Sequence, residues 1–255
     1  MAKTHQIELP TGERIPILYE DRSVIAIDKP RGWMLVPFSW QRTNRNLQAA
    51  LTSSIAAGDL WARARSLKFL RYVHRLDAET TGILLLAKSK GALATLADLF
   101  ESRKMEKVYL AVVEGVPPAE WICRLSLAPE PRSNGKMKVD ARGKPAETAF
   151  RLLRTGDGKS LVEARPFTGR THQIRVHLAQ AAHPVLGDDL YGSGAAGAMP
   201  LGLRAVRLAY RDPFTRRPIS IQASFEEFVR EYSFDPTGLE SDLATIGKRF
   251  HHPAG

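Results

Sequence analysis

The sequence predicts an α+β fold: a mixed, mainly antiparallel sheet flanked by helices. Three observations carry that expectation. Beyond residue 107 four β-rich runs, at 108–113, 122–127, 146–153 and 161–164, follow one another too closely for helical crossovers, so they pair antiparallel. Helical spacing of apolar residues returns at 46–57, from residue 89 onward and at 171–182. Across 255 residues, a 44% hydrophobic and 25% charged composition supplies a core for one large or two small domains and excludes disorder as the main state.

The elements follow in order. Ile15-Pro16-Ile17-Leu18-Tyr19 and Val24-Ile25-Ala26-Ile27 are β-rich runs separated by polar Glu20-Asp21-Arg22-Ser23, a hairpin that runs into a Lys29-Pro30-Arg31-Gly32 loop. Leu47, Leu51 and Ile55 recur every fourth residue and Gly58 supplies a stop, which predicts an amphipathic helix over 46–57. The apolar run Gly82-Ile83-Leu84-Leu85-Leu86-Ala87 reads as a strand. Ser89 is the N-cap of a helix expected to bury Leu93, Leu96, Ala97 and Phe100. Ile174, His177, Leu178 and Ala181 mark the helix over 171–182, and Ile219-Ser220-Ile221 a late strand. One main domain is expected over 15–234, after an extension at 1–14 and before a weakly ordered tail at 235–255.

Charge narrows the function classes. The 37 Lys and Arg against 27 Asp and Glu give +10, which suits an anionic partner, nucleic acid first. Cys123 is the sole cysteine, so no intrachain disulfide forms. The opening residues lack the apolar centre of a signal peptide. The longest apolar run is six residues where a spanning helix needs roughly 20. A soluble cytoplasmic protein is the expectation.

Several motifs fail on context. Gly192-Ser193-Gly194-Ala195-Ala196-Gly197 matches a dinucleotide fingerprint, but Asp188-Asp189-Leu190-Tyr191 before it is no buried strand and Pro200 and Gly202 spoil the helix after it. Gly158-Lys159-Ser160 lacks the earlier glycine of a phosphate loop, and Asp157-Gly158 forms a turn. His172 and His177 are five apart, and Cys123 has no ligand partner, so no zinc is expected. His74-Arg75-Leu76-Asp77 departs from the kinase loop at Leu76, and Asp-Phe-Gly is missing.

Three features remain. Asp77 sits in a loop between basic residues and the apolar strand, a position that favours function although a loop Asp is often only a turn cap. The stretch 61–75 holds Arg63, Arg65, Lys68, Arg71 and Arg75 with Trp61, Phe69 and Tyr72 and no acid; 131–144 holds Arg132, Lys136, Lys138, Arg142 and Lys144 against Asp140. Both suit nucleic acid, or are solvated faces. Arg170, His172, Gln173 and Arg175 crowd the start of the helix at 171–182. Arg175 lies about 60° from Leu178 on the wheel, at the edge of the buried stripe, where a guanidinium wants a carboxylate.

His74-Arg75-Leu76-Asp77 with Thr80-Thr81-Gly82, together with Thr168-Gly169-Arg170-Thr171-His172-Gln173-Ile174-Arg175-Val176-His177-Leu178, resemble the RluA family of RNA pseudouridine synthases. Residues 17–32, 107–112 and 183–192 are similar as well. Thr81 stands where the family usually has Ser, and Arg31 where it has a smaller residue. The resemblance implies the pseudouridine synthase catalytic fold without a separate N-terminal RNA-binding module, since residues before 15 leave no room for one. It implies isomerisation of uridine in ribosomal or transfer RNA with no metal and no cofactor. Asp77 is then the essential carboxylate, Tyr109 the aromatic residue beside the target base and Arg175 the partner of Asp77. Arg75 helps evict the base, and His74, Lys107, Arg170, His172 and Gln173 join it as RNA contacts. No obligatory protein partner is implied, and a monomer is expected. The alternative is a non-catalytic RNA-binding protein on the same fold; a nucleotide enzyme using the Gly192 loop is a distant third.

Overall fold

The computed structural model describes residues 4–35, 45–133, 135–194 and 199–244. In chain order its elements are β1 (Gln6–Glu8), β2 (Arg14–Glu20), β3 (Val24–Lys29), α1 (Leu47–Ala57), α2 (Leu60–Arg63), β4 (Arg71–Tyr72), β5 (Thr81–Ala87), α3 (Lys90–Glu101), β6 (Glu106–Glu114) and β7 (Glu120–Arg124). They continue as β8 (Leu127–Pro129), β9 (Met137–Val139), β10 (Glu147–Gly156), β11 (Lys159–Pro166), α4 (Gln173–Gln180), β12 (Leu203–Arg211), β13 (Pro218–Gln222), α5 (Glu226–Glu231) and α6 (Leu239–Ala244). The chain forms two compact units, the first from the residues up to Lys107 with Ala205–Ala223, the second from Val108–Arg204 and the described residues from Ser224 on.

In the first unit the strands run in the order β1-β2-β3-β5-β12, with β4 also on β5 and β13 on β12. The pairings β1–β2, β2–β3, β3–β5, β4–β5 and β12–β13 are antiparallel. β1 lies inside the 1–14 extension and pairs residue by residue with β2, so that segment is part of the sheet. Asp21 closes the expected hairpin, its Oδ1 accepting from the backbone N–H of Ser23 and Val24 at 2.6 and 2.8 Å. Gly82 to Ala87 are all buried, which explains the uninterrupted apolar run of β5: both faces are covered, so no polar alternation survives. Gly82 is obligatory, because at φ +103° an added Cβ would lie 2.1 Å from the Ala205 carbonyl oxygen.

The helices match their caps better than their stripes. Asn46 caps α1 and Gly58 ends it in the left-handed region at φ 73°. Leu47 and Leu51 are buried as expected, but Ile55 only half, and Ser54 takes the core position, accepting from Trp61 Nε1 at 2.8 Å and bonding Asp59. Ser89 caps α3, accepting from Ala92 N–H at 3.1 Å; Ala92 and Leu96 are buried, whereas Leu93, Ala97 and Phe100 are half-buried. Of the four positions expected to be buried, Leu96 is, and Ala92 takes the place expected of Leu93.

In the second unit β6, β11, β10 and β7 follow one another, all antiparallel. Asp157 and Gly158, at φ 51° and 72°, make the two-residue turn between β10 and β11. The single run expected at 122–127 is two strands: β7 ends at Arg124, and β8 leaves to pair with β9 in a two-stranded sheet. Leu127 exchanges both backbone bonds with Lys144 at 2.9 Å, and Gly143 packs so close that a Cβ would meet the Leu127 carbonyl at 2.5 Å. The weakly ordered tail is also corrected in part, since α6 buries Leu239 completely and Arg151 donates to the Asp242 carbonyl at 2.8 Å. Residues 245–255, and Ala195 to Gly197 of the glycine loop, lie outside the described residues.

Candidate active site

Asp77 belongs to the first unit, in the loop between β4 and β5. The β3–β5 register sets Lys29 opposite Gly82, at the end of β5 where that loop ends. Lys29 is fully buried, and its Nζ donates to three carbonyls, Pro30 at 3.0, Ala78 at 2.7 and Thr80 at 3.0 Å, which uses every N–H of an ammonium. The Ala78 carbonyl also accepts from Gly32 N–H at 2.9 Å, and Thr80 N–H closes a turn onto the Asp77 carbonyl at 3.2 Å. Burial pulls the Lys29 ammonium down to about 8, against the pull of the Glu79 and Asp77 carboxylates. Asp77 itself is half-buried and Arg75 is exposed, on a loop whose backbone is pinned from behind.

His74 serves the same loop. Its Nε2 accepts from Leu85 N–H at 3.1 Å, and its ring stacks on Phe100 at 4.6 Å between centroids. Burial, with the nearby Lys107 cation, pushes its pKa down to about 3, so it is neutral near pH 7. The structure thus gives His74 a positioning task in this loop. Lys107, half-buried at the head of β6, is lowered to about 8 by desolvation.

The remaining candidates belong to the second unit. Tyr109 is buried on β6, opposite Ala164 of β11. Arg175, 5% exposed on α4, holds Asp188 through two parallel bonds, Nε to Oδ2 at 2.8 Å and Nη2 to Oδ1 at 2.7 Å, with Asp189 at 3.3 Å. Burial alone would raise the Asp188 pKa, but Arg175 and the N–H groups of Leu190 and Tyr191 outweigh it and hold the carboxyl low. Gly187 and Gly192 wind this loop tightly, since a Cβ on either would fall 2.0 Å from the Pro200 oxygen or 2.4 Å from the Asp188 oxygen. Arg175 thus has a carboxylate partner in Asp188, a residue other than the Asp77 expected for it; a guanidinium has five N–H donors, so this pair does not exhaust it.

Three expected RNA contacts have structural work in this unit. Gln173 is buried, its Oε1 accepting from Thr168 Oγ1 at 2.6 Å and Arg170 N–H at 3.0 Å, its Nε2 donating to the Glu147 carbonyl and Thr148 Oγ1 at 2.9 Å. With the full capacity of its amide used, it fixes the start of α4. His172, in the left-handed region at φ 53°, bonds the Tyr191 hydroxyl at 2.9 Å, and that oxygen accepts from Met137 N–H at 2.7 Å. Arg170 Nε donates to the Pro145 carbonyl at 3.0 Å. In the basic stretch at 61–75, Trp61 and Arg65 are likewise interior, Arg65 paired with Glu20 at 2.9 Å, while Arg63, Lys68, Arg71 and Arg75 are exposed. Sequence reasoning gave no role to Lys29, Asp188 or Tyr191. The signal for Asp188 is the guanidinium of Arg175 at the edge of a buried stripe, which wants a carboxylate; Lys29 stands before Pro30 in the 17–32 segment that resembles the family.

Among the described residues no group of three or more His, Cys, Asp and Glu side chains is arranged to hold a metal ion, and no helix is long and apolar enough to cross a membrane. Residues 23–180 match the family model described as RNA pseudouridylate synthase. The chain is 35% identical over 222 residues to ribosomal large subunit pseudouridine synthase C of Vibrio vulnificus, covering 83% of this chain and 66% of that protein. It is 37% identical over 195 residues to pseudouridylate synthase RPUSD2 of Mus musculus, covering 76% of this chain and 33% of the other. The solved structure of human RNA pseudouridylate synthase domain containing 4 is similar with a TM-score of 0.67 at 25% identity, covering 84% of this chain and 92% of that one.

Proposed function

The chain belongs to the RNA pseudouridylate synthase family, and from that premise we propose that it isomerises uridine to pseudouridine in RNA with Asp77 as the essential carboxylate. One observation carries the assignment to Asp77. Its loop is the segment whose backbone a buried ammonium fixes through two bonds, to the Ala78 and Thr80 carbonyls on either side of Glu79, so the acid group is held in place while remaining half-open to solvent. That combination suits a group that must meet a nucleotide rather than fill a core.

The reaction breaks the bond between uracil N1 and the ribose carbon, turns the base, and joins C5 to the same carbon. The hydrogen on C5 leaves as a proton and N1 gains one, so the product is an isomer and nothing is consumed. Asp77 acts as nucleophile or as proton acceptor, two roles open to one carboxylate. In this reading Arg175, which keeps donors beyond those given to Asp188, is the positioning residue of the reaction. Tyr109 stacks on the extruded base, worth about 1–3 kcal/mol against the few kcal/mol needed to unstack it. The relatives' names direct the first assay to large-subunit ribosomal RNA, with transfer RNA second.

The test is tritium release from RNA labelled at uridine C5. Wild type releases tritium, and Asp77→Asn releases none while keeping its RNA affinity within a few-fold. Equal release by Asp77→Asn removes the assigned role; RNA binding with no release by wild type leaves the non-catalytic binder as the function.

A further inference from the structure

At the other end of β5 from Asp77, the first unit carries a cleft of about 820 Å³ walled by the β2–β3 turn, the segment after α2 and the start of α3. Five cationic side chains line it, Arg22, Arg65, Lys68, Lys88 and Lys90, against two carboxylates, a formal excess of three positive charges. Both carboxylates are engaged. Glu20 holds Arg65 at 2.9 Å and Lys88 at 2.6 Å, and Asp21 accepts the turn N–H groups and the Tyr19 hydroxyl. Arg22, Lys68 and Lys90 are exposed and make no ion pair among the described residues.

The start of α3 adds to this excess. Its first turn contains no acid, and its first residue is Lys90, where a cation opposes the helix dipole. Ser89 satisfies Ala92 N–H, and the earlier first-turn N–H groups have no intrahelical acceptor. An anion between Lys68, Lys90 and the helix end would relieve all of these charges together. The apolar part of the lining is small, Leu67 and Phe69, which leaves little to anchor an acidic protein.

We propose that this cleft grips the phosphodiester backbone of the substrate RNA at a second point, away from the reacting nucleotide. This rests on RNA being the substrate, as proposed above. The seven residues of β5 separate the cleft from the Asp77 loop by about 23 Å, or roughly seven nucleotides at 3.4 Å along one strand. RNA held at both points must therefore extend well beyond the target uridine.

The experiment is filter binding of an unmodified large-subunit ribosomal RNA transcript across a salt series, without turnover. It compares wild type, a Lys68→Gln/Lys90→Gln variant, and an Arg216→Gln/Arg217→Gln variant that removes two exposed charges elsewhere in the same unit. The cleft variant is expected to bind about tenfold more weakly, with the slope of log affinity against log salt reduced by about two; the control pair changes less than half as much. Equal changes in both variants overturn the proposal, as does loss of binding to phosphatidylserine vesicles with RNA affinity kept. Wild type that binds no RNA overturns both readings. Wild type that binds RNA and releases no tritium defeats only the catalytic reading, and the slopes still decide this one.

Discussion

Lys29 illustrates how a charge placed wholly inside a protein becomes a fastener. An ammonium with three donors meets three carbonyls that no secondary structure satisfies, and those carbonyls flank the loop that carries Asp77. Lys29→Met keeps the stem and deletes the donors, leaving the Pro30 and Thr80 carbonyls unmatched at about 1–3 kcal/mol each, while the Ala78 carbonyl keeps its bond from Gly32 N–H. Urea unfolding should show roughly 3 kcal/mol or more lost, and the surviving enzyme a reduced kcat with a nearly unchanged KM, because the loop is displaced while the RNA surface is intact. A loss under about 1 kcal/mol would show that the loop holds its shape without the lysine.

At the scale of elements, α4 is fastened at its start by Gln173 and at its middle by the Arg175–Asp188 pair, which ties it to the glycine-wound 187–192 loop. Arg175→Lys retains the charge but cannot make two parallel bonds to one carboxylate in a buried site. The expected outcome is loss of most activity and about 2 kcal/mol of stability, read by tritium release and denaturation; an active Arg175→Lys enzyme would argue that charge alone suffices. These elements also mark what a sequence discloses. Hairpins, caps and the long apolar strand were legible because each is dictated within a few residues: Asp21 in its turn, Ser89 as cap, the run Ile83 to Leu86. The division of 122–127 into β7 and β8 was hidden, because it is decided by a partner at Lys144 and a close contact at Gly143. Likewise Asp77 and Arg175 stood out as residue types in a pattern, whereas the structural task of Gln173 was hidden, since local sequence cannot show that Glu147, Thr148 and Thr168 bond its amide.

At the scale of the whole molecule, the buried titratable groups set how stability follows pH. His74 and His177 are held near 3 and 4, chiefly by desolvation, where an unfolded chain titrates near 6.5. Between those values the unfolded state binds the extra protons, so their contribution is complete above pH 6.5 and is lost as pH falls through the folded values. Glu20, held near 2 by Lys88 and Arg65 against the opposing effect of burial, adds a loss from 4.5 downward. Lys29 and Lys107, lowered to about 8, act in the alkaline window: the unfolded chain keeps protons up to about 10.5, so stability rises again from 8 to 10.5. Tyr19, raised to about 12 first by burial and then by Asp21, works the other way: its contribution is present below 10 and lost as pH climbs toward 12. Urea unfolding from pH 4 to 10 should therefore give a curve that climbs to pH 6.5, levels, and climbs once more above 8. Its acid limb should approach about 1.4 kcal/mol per pH unit for each group titrating. His177 is wholly buried between Thr148 and the Leu125 carbonyl, and His177→Asn should remove its share of that limb. Equal stability of wild type at pH 5 and pH 7 would mean that these imidazoles are not held neutral by the fold.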